Sequence, residues 1–207
     1  AVASELSGNV VDLCPVGALT SKPYAFNARP WELKKTESID VMDALGSNIR
    51  VDARGPEVLR VLPRVNEEIN EEWISDKTRH AVDGLKRQRL DRPYARKGGK
   101  LEPVSWDEAL TIAAKQLSGD PSRIGVIAGD IVCAESMKAT LDLLNALGIQ
   151  NRDCRQDGAL LGGQRETYLF NSTIAGIEKA DAILMVGVNP RLEAPILNAR
   201  IRKSWLR

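Results

Sequence analysis

The chain has 207 residues, of which 43% are hydrophobic and 28% charged, and its formal net charge is +1. This composition is that of an ordinary soluble globular protein, long enough for one large domain or two smaller ones. The balanced charge argues against a polyanionic partner, so we expect no nucleic acid to bind. No stretch reaches the roughly eighteen consecutive apolar residues of a membrane-spanning helix, and no secretory signal opens the chain.

The N-terminal half predicts two short regions. Residues 1–27, rich in Gly and Pro, predict loops with one helical turn. Residues 28–92 are expected to form a small antiparallel β domain. Within it, "NIRVDAR" and "EVLRVLPR" alternate apolar and charged positions around a turn at residues 55–56, as in a β-hairpin. The preceding "LKKTESIDV" is expected to supply a third strand, which so small a sheet needs.

Residues 93–207 predict strands alternating with helices. A linker over residues 93–104, the end of a basic and solvated connector, leads to Ser105 and Glu108, which have the spacing of a capping box. The helix they open is followed by a buried strand "RIGVIAG", a helix "ESMKATLDLLNALG" that ends at Gly148, a second strand "DAILMVGVNP" and a helix "APILNARIRKSWL". Apolar strands alternating with helices are typical of a doubly wound, Rossmann-like parallel sheet, of which only the first part is present. The predicted fold class is α/β, or α+β for the chain as a whole.

The ends and the cysteines indicate the origin of the chain. It begins without Met and stops directly after a basic helix, so we expect a piece of a longer protein. Its three cysteines, Cys14, Cys133 and Cys154, are odd in number and far apart. That argues against a disulfide framework and for a reducing compartment.

Most familiar catalytic and nucleotide-binding patterns are missing from the sequence. Neither predicted strand-to-helix turn contains G-x-G-x-x-G or a P-loop, and the glycine-rich residues 158–163 follow no clear strand. His80 is the single histidine and is flanked by charges, which favours a surface or helix-capping role over Ser/His/Asp or Cys/His catalysis. The four tryptophans are expected to be core anchors: Trp31, Trp73, Trp106 and Trp205.

Cys14 is the one candidate metal ligand. No clustered Cys/His set for zinc and no C-x-x-C is present, so the chain alone does not supply the four thiolates of an iron–sulfur cluster. The dipeptide Cys14-Pro15, however, has the form of the remote cysteine that completes a [4Fe–4S] cluster whose other ligands lie together elsewhere. The alternative is a cysteine packed in the core as a small apolar group.

Three long stretches, "SGNVVDLCPVGALTSKPYAFNARPWELKKTESIDVMDALGSNIRV", "INEEWISDKTRHAVDGLKRQRL" and "STIAGIEKADAILMVGVNPRLEAPILNARIRKSWL", closely resemble the large iron–sulfur subunits of respiratory complex I. Complex I is the proton-pumping NADH:quinone oxidoreductase, and these are its 75 kDa-type subunits. The resemblance implies that Cys14 is the fourth ligand of the last [4Fe–4S] cluster of a ferredoxin-like region ending at about residue 27, with the other ligands upstream. It also implies that residues 16–19 belong to the shell that tunes the cluster's potential, and that the cluster relays electrons from NADH and FMN toward quinone.

The rest of the chain resembles molybdopterin oxidoreductases such as formate dehydrogenases. Those enzymes carry a cluster on a small domain like residues 28–92, but this chain has no cysteine there, and Ser75 stands about where the fourth would be. The stretch "NRDCRQDG" offers Cys154 and Asp157 where the enzymes have their molybdenum ligand. The resemblance to complex I implies no molybdopterin and no independent catalytic site, with residues 93–207 as scaffold. The alternatives are a catalytic molybdopterin oxidoreductase of formate-dehydrogenase type and a structural module with an inert Cys14.

The same resemblance implies partners and a location. The partners are other subunits of the peripheral arm of complex I, including the subunit that binds NADH and FMN, and membrane contact occurs only through the complex. The location is the cytoplasmic side of a bacterial inner membrane or the matrix side of the mitochondrial inner membrane.

Overall fold

A computed structural model describes residues 3–154 and 162–207. The chain forms two compact units, the first comprising Ala1–Arg87 with Glu166–Arg207 and the second Gln88–Arg165. In the described ranges no helix is long and apolar enough to cross a membrane. The helices of these ranges are α1 (Asn9–Leu13), α2 (Asp76–His80), α3 (Trp106–Leu117), α4 (Ala134–Ala146), α5 (Pro190–Glu193) and α6 (Pro195–Trp205). The strands are β1 (Lys34–Ile39), β2 (Asn48–Arg54), β3 (Glu57–Pro63), β4 (Tyr94–Lys97), β5 (Lys100–Pro103), β6 (Gly125–Ile127) and β7 (Asn151–Asp153).

A three-stranded antiparallel sheet in the order β1-β2-β3 forms the centre of the first unit. The predicted hairpin is confirmed: β2 and β3 pair from Ile49 opposite Pro63 to Arg54 opposite Glu57, with a register shift between Asp52 and Ala53. Gly55 at the turn has φ +59°, a conformation that glycine adopts without strain. The third strand is confirmed as β1, which pairs along its whole length with β2.

The core of the first unit is small and lies between the sheet and the segment that leads into α2. Ile49 of β2, Val61 of β3 and Ile74 are buried together, with Val51 and Val82 packed against them. The side chain of Ile74 is fully buried, so the segment just before α2 is held directly on the sheet. This contact fixes α2, which in turn lies next to the candidate site.

The second unit contains two small sheets and two helices. The linker expected over residues 93–104 is instead an antiparallel hairpin of β4 and β5, turning at Gly98 and Gly99, which both have positive φ. The predicted helices are confirmed as α3, with Ser105 as N-cap, and α4, with Gly148 at φ +70° just after its end. β6 pairs in parallel with β7. These elements confirm the predicted mixed α/β fold class, in which the antiparallel part comes first.

The second apolar strand expected at residues 181–190 is absent from the described structure, where this segment has no strand conformation. Leu184 there is 88% exposed. Parallel strands are stabilised by burial on both faces, and in the described ranges β6 and β7 are the only parallel pair. β6 itself is not the buried strand expected, because Ile127 is mostly exposed. Trp31, Trp106 and Trp205 are also largely exposed rather than core anchors.

Candidate functional site

Cys14 lies at the point where α1 ends and the chain turns. Its backbone is extended (φ −79°, ψ 103°), and its N–H donates to the carbonyl of Val11 at the end of the helix. Pro15 explains this conformation, because a residue before proline is forced out of helical geometry. Gly17 then takes φ +67°, which allows the chain to fold back toward the Cys14 side chain.

Backbone amides after Cys14 influence the ionisation of its thiol. The N–H groups of four following residues act on it as hydrogen-bond donors: Val16, Gly17, Ala18 and Leu19. These donors, that of Leu19 foremost, lower the pKa of the Cys14 thiol despite the opposing effect of desolvation. The thiolate is the form of cysteine that binds metals. The turn after α1 therefore presents a sulfur prepared for ligation.

A cavity of about 320 Å³ lies beside Cys14. It is lined by residues of the segment that follows α1, by β3 and by the end of α2 with the residues after it. Arg60 of β3 lies over the ring of Tyr24, with its Cζ 4.3 Å from the ring centroid, which ties the segment to the sheet. The predicted surface histidine, His80, is exposed and lines the same cavity.

The donor set fits a cluster to which this chain contributes a single ligand. Across the described ranges, no three or more His, Cys, Asp or Glu side chains gather as a metal site. A [4Fe–4S] cluster takes four thiolates. Cys14, whose thiol pKa is lowered by backbone amides, has the chemistry to supply one such ligand but not the other three.

Ser75 belongs to a network of side chains that are hydrogen-bonded to one another, not to a metal site. It is buried and is the N-cap of α2, its Oγ accepting a hydrogen bond from the N–H of Thr78 at 3.1 Å. The two hydroxyls lie 2.8 Å apart, and the Thr78 hydroxyl donates to Oδ2 of Asp40 at 2.7 Å. Asp40 and Thr78 were not predicted from the sequence, although serine, the residue at position 75, is preferred at helix N-caps.

The other two cysteines belong to the second unit. Cys133 is exposed at the start of α4, with its Sγ 3.1 Å from the Oγ of Ser136. Cys154 is exposed and lines a largely apolar cavity of about 360 Å³ in the second unit. Asp157 and most of the glycine-rich residues 158–163 lie outside the described residues.

Three family models match successive parts of the chain. Residues 89–207 match the model of the molybdopterin oxidoreductase family. The chain belongs to this family. Residues 33–83 match the "NADH-ubiquinone oxidoreductase NDSU1/NuoG-like, 4Fe-4S domain", and residues 1–20, which contain Cys14, match the "NADH-quinone oxidoreductase subunit 3, ferredoxin-like domain".

Curated relatives identify the branch of the family. The chain is 61% identical over 212 residues to the mitochondrial NADH-ubiquinone oxidoreductase 78 kDa subunit of Neurospora crassa, covering 99% of the chain and 28% of that protein. It is 62% identical over 200 residues to an NADH-quinone oxidoreductase subunit of Rickettsia conorii, covering 96% of the chain and 30% of that protein. The resemblance to complex I subunits is confirmed, and the chain spans less than a third of these relatives.

Proposed function

We propose that this chain is part of the electron-transferring iron–sulfur subunit of NADH:quinone oxidoreductase and supplies one ligand, Cys14, to a [4Fe–4S] cluster. The observation that carries the proposal is the place of Cys14, at the turn that follows α1 and beside a cavity of about 320 Å³. Backbone amides that lower the pKa of its thiol support this reading. The match of residues 1–20 to a ferredoxin-like domain supports it, because Cys14 lies within that range.

When bound, such a cluster accepts and releases one electron at a time. Of the chain's own residues, Cys14 would hold one iron as a thiolate, and the amides of residues 16–19 would stabilise the negative charge on its sulfur. Hydrogen bonds of this kind are one of the means by which a protein sets a cluster's potential. No general base or nucleophile takes part, so we assign no catalytic residue to this chain.

The larger part of the chain then serves as scaffold and as contact surface for other subunits. We assign residues 28–92 to a small β domain without cluster cysteines and residues 93–207 to the start of the molybdopterin-oxidoreductase-like domain. The partners are the other subunits of the peripheral arm, including the one that binds NADH and FMN. We also propose that the chain lies on the cytoplasmic or matrix side of the membrane. It holds no molybdopterin of its own in this proposal.

A catalytic molybdopterin oxidoreductase of formate-dehydrogenase type is the second candidate, favoured by the family match of residues 89–207. Against it stands Ser75, whose hydroxyl is engaged by Thr78 at the position expected for a cluster cysteine. The match of residues 33–83 to a NuoG-like domain also supports the first candidate. Molybdenum analysis of the purified full-length protein separates the two: stoichiometric molybdenum would support the enzyme.

The decisive experiment is low-temperature EPR of the dithionite-reduced, full-length subunit with Cys14→Ser. We expect one [4Fe–4S] signal to be lost or altered, with iron and sulfide lowered accordingly and the other signals intact. Cys133→Ser, at an exposed cysteine of the second unit, is the matched control and should leave every signal in place. An unchanged spectrum and iron content in Cys14→Ser would overturn the proposal.

A further inference from the structure

A buried arginine holds the helix that ends at Cys14. Arg79 of α2 is only 7% exposed. Its Nη1 donates to Oδ1 of Asp12 at 3.2 Å, and its Nη2 donates to Oδ2 of the same carboxylate at 2.5 Å. Nη2 also donates to Oδ1 of Asn9 at 3.2 Å. These three side chains form what we call the Arg79 clamp, and Asp12 lies two positions before Cys14.

Neighbouring contacts make the clamp a close fit. The Asn9 amide pairs with the backbone of Ile74, donating to its carbonyl at 2.8 Å and accepting from its N–H at 3.1 Å. The Asp76 carboxylate accepts from the Ser7 hydroxyl at 2.6 Å and from the N–H of Gly8 at 2.7 Å. Both ends of α1 are therefore hydrogen-bonded to α2, and its first residue is also bonded to the segment that precedes α2.

Gly8 shows how little room is left at this contact. A Cβ at this position would lie 2.5 Å from Nε of Arg79 and 2.7 Å from Oδ1 of Asp76. Real Cβ atoms do not approach other atoms so closely. The backbone at Gly8, the N-cap of α1, thus lies against the Arg79 and Asp76 side chains with no space for a methyl group.

α1 depends on these contacts for its position. It has five residues and no side-chain cap at its start, and so short a helix is not stable by itself in water. Burial of a guanidinium is offset only where its partners are well placed, and Nε of Arg79 has no partner within the described part of the chain. The clamp is better explained by the geometry it imposes on α1 than by a gain in stability.

We propose that Arg79 is a positioning residue for the Cys14 thiolate. The inference rests on the proposed function, because it takes Cys14 to be a cluster ligand. Through the bidentate contact with Asp12, Arg79 fixes the last turn of α1 and thereby the direction from which the sulfur approaches its iron. The small β domain, although it lacks cluster cysteines, supports through α2 a cluster whose ligand lies outside it.

The test uses the full-length subunit with Arg79→Met, which removes the charge and keeps an unbranched side chain. We expect the cluster to form with an altered EPR line shape and a shifted midpoint potential. Release of its iron to a chelator should be about tenfold faster, as when a partner of a metal ligand is lost. Reversal of the pair, Asp12→Arg with Arg79→Asp, should restore much of the wild-type signal.

Arg200→Met is the matched control. Arg200 is an equally buried arginine of the first unit, 3% exposed, which donates to the carbonyls of Ile69 and Glu67 and to Glu178 rather than to α1. We expect this variant to unfold more easily while the spectrum and potential stay unchanged. If Arg79→Met does not fold, Arg79→Lys keeps the charge and loses the bidentate geometry, and it should show the same spectral shift in smaller degree.

The outcomes distinguish this inference from the proposed function. If Cys14→Ser leaves every cluster signal intact, the proposed function fails and the inference fails with it. If Cys14→Ser removes a signal while the Arg79 variants keep the wild-type spectrum, potential and iron release, only the positioning role of Arg79 is overturned. Equal spectral changes in Arg79→Met and Arg200→Met would likewise overturn it.

Discussion

Two aspartates of the first unit have opposite electrostatic surroundings. Burial disfavours ionisation of Asp52, but hydrogen bonds from Arg50 and Arg60 at 2.9 and 2.8 Å outweigh it and lower the pKa of Asp52. Desolvation of Asp43 raises its pKa, and its Oδ2 is buried without a hydrogen-bond partner in the described ranges. Asp52 therefore stabilises the fold at pH values above the ordinary carboxyl pKa, and this contribution is lost as the pH falls through its lowered pKa.

The contribution of Asp43 to the stability of the fold has the reverse dependence on pH, and the variant Asp43→Asn tests it. Because its folded pKa lies above the unfolded one, its contribution is fully present below the ordinary carboxyl pKa and is lost as the pH rises through the folded value. The asparagine keeps an oxygen that can accept from the N–H of Leu45, as Oδ1 does now at 3.1 Å. We expect Asp43→Asn to raise the free energy of unfolding at pH 7 by about 1 kcal/mol.

Denaturant unfolding of the full-length variant and wild type at several pH values measures this difference. The gain should shrink as the pH falls toward the ordinary carboxyl pKa. Asp142→Asn is the control, since Asp142 forms an exposed pair with Lys138 and such pairs contribute little. A gain that is absent at pH 7, or that grows at low pH, would show that the Asp43 carboxylate is not destabilising.

At the scale of single elements, α3 depends on its cap. The Oγ of Ser105 accepts a hydrogen bond from the N–H of Glu108 at 3.2 Å. Glu108 does not complete a capping box in a described contact but pairs with Lys97 at 2.6 Å. We expect Ser105→Ala to destabilise the first turn by about 1 kcal/mol, so hydrogen exchange of its amides should accelerate about fivefold.

The control for this prediction lies in the same helix. The Thr111 hydroxyl donates to the carbonyl of Asp107 within α3, and a hydroxyl bonded in this way adds little to a helix. Thr111→Ala should leave exchange unchanged or slow it slightly, because alanine has the higher helix propensity. Faster exchange in both variants would mean that the cap is not what protects this turn.

Elements that depend on residues close together in the sequence were predicted well. Features that depend on residues far apart in the sequence were not. The β2–β3 hairpin, the Ser105 cap and the end of α4 at Gly148 each depend on residues a few positions apart, and all are present. The β4–β5 hairpin was missed although Gly98 and Gly99 are a hairpin-turn pair, because its charged strands lack an apolar alternation. Cys14 was recognisable from Cys-Pro and the resemblance, whereas the Arg79 clamp joins residues 67 positions apart, which no local pattern indicates.

At the scale of the whole molecule, the boundary between the two units falls in the most basic stretch. The N-terminal segment of the first unit ends at Arg87 and the second unit begins at Gln88, and residues 83–92 are exposed. Exposed connectors between compact units are preferred sites of proteolysis. Here they coincide with Lys86, Arg87 and Arg89, which provide trypsin with several sites, whereas the Arg92–Pro93 bond is resistant because trypsin does not cleave before proline.

We therefore expect the first tryptic cuts within these 207 residues to fall between residues 86 and 90. Limited digestion of the native full-length protein, followed by N-terminal sequencing of the fragments, locates them. Arg50 and Arg60, paired with Asp52 in the sheet, serve as internal controls and should resist cleavage. Early cuts in β2 or β3 would show that the first unit opens before the connector is attacked.

The hydrogen bonds of Ser75 limit which side chains this position of the small β domain tolerates. A thiol at this position would be a bulkier and weaker acceptor for the N–H of Thr78, and the Thr78 hydroxyl that now reaches Asp40 would be displaced. A cysteine here would thus weaken the start of α2, the helix from which Arg79 reaches Asp12. Substitution at position 75 alone would therefore disturb the support of Cys14 without supplying the other ligands of a second metal site.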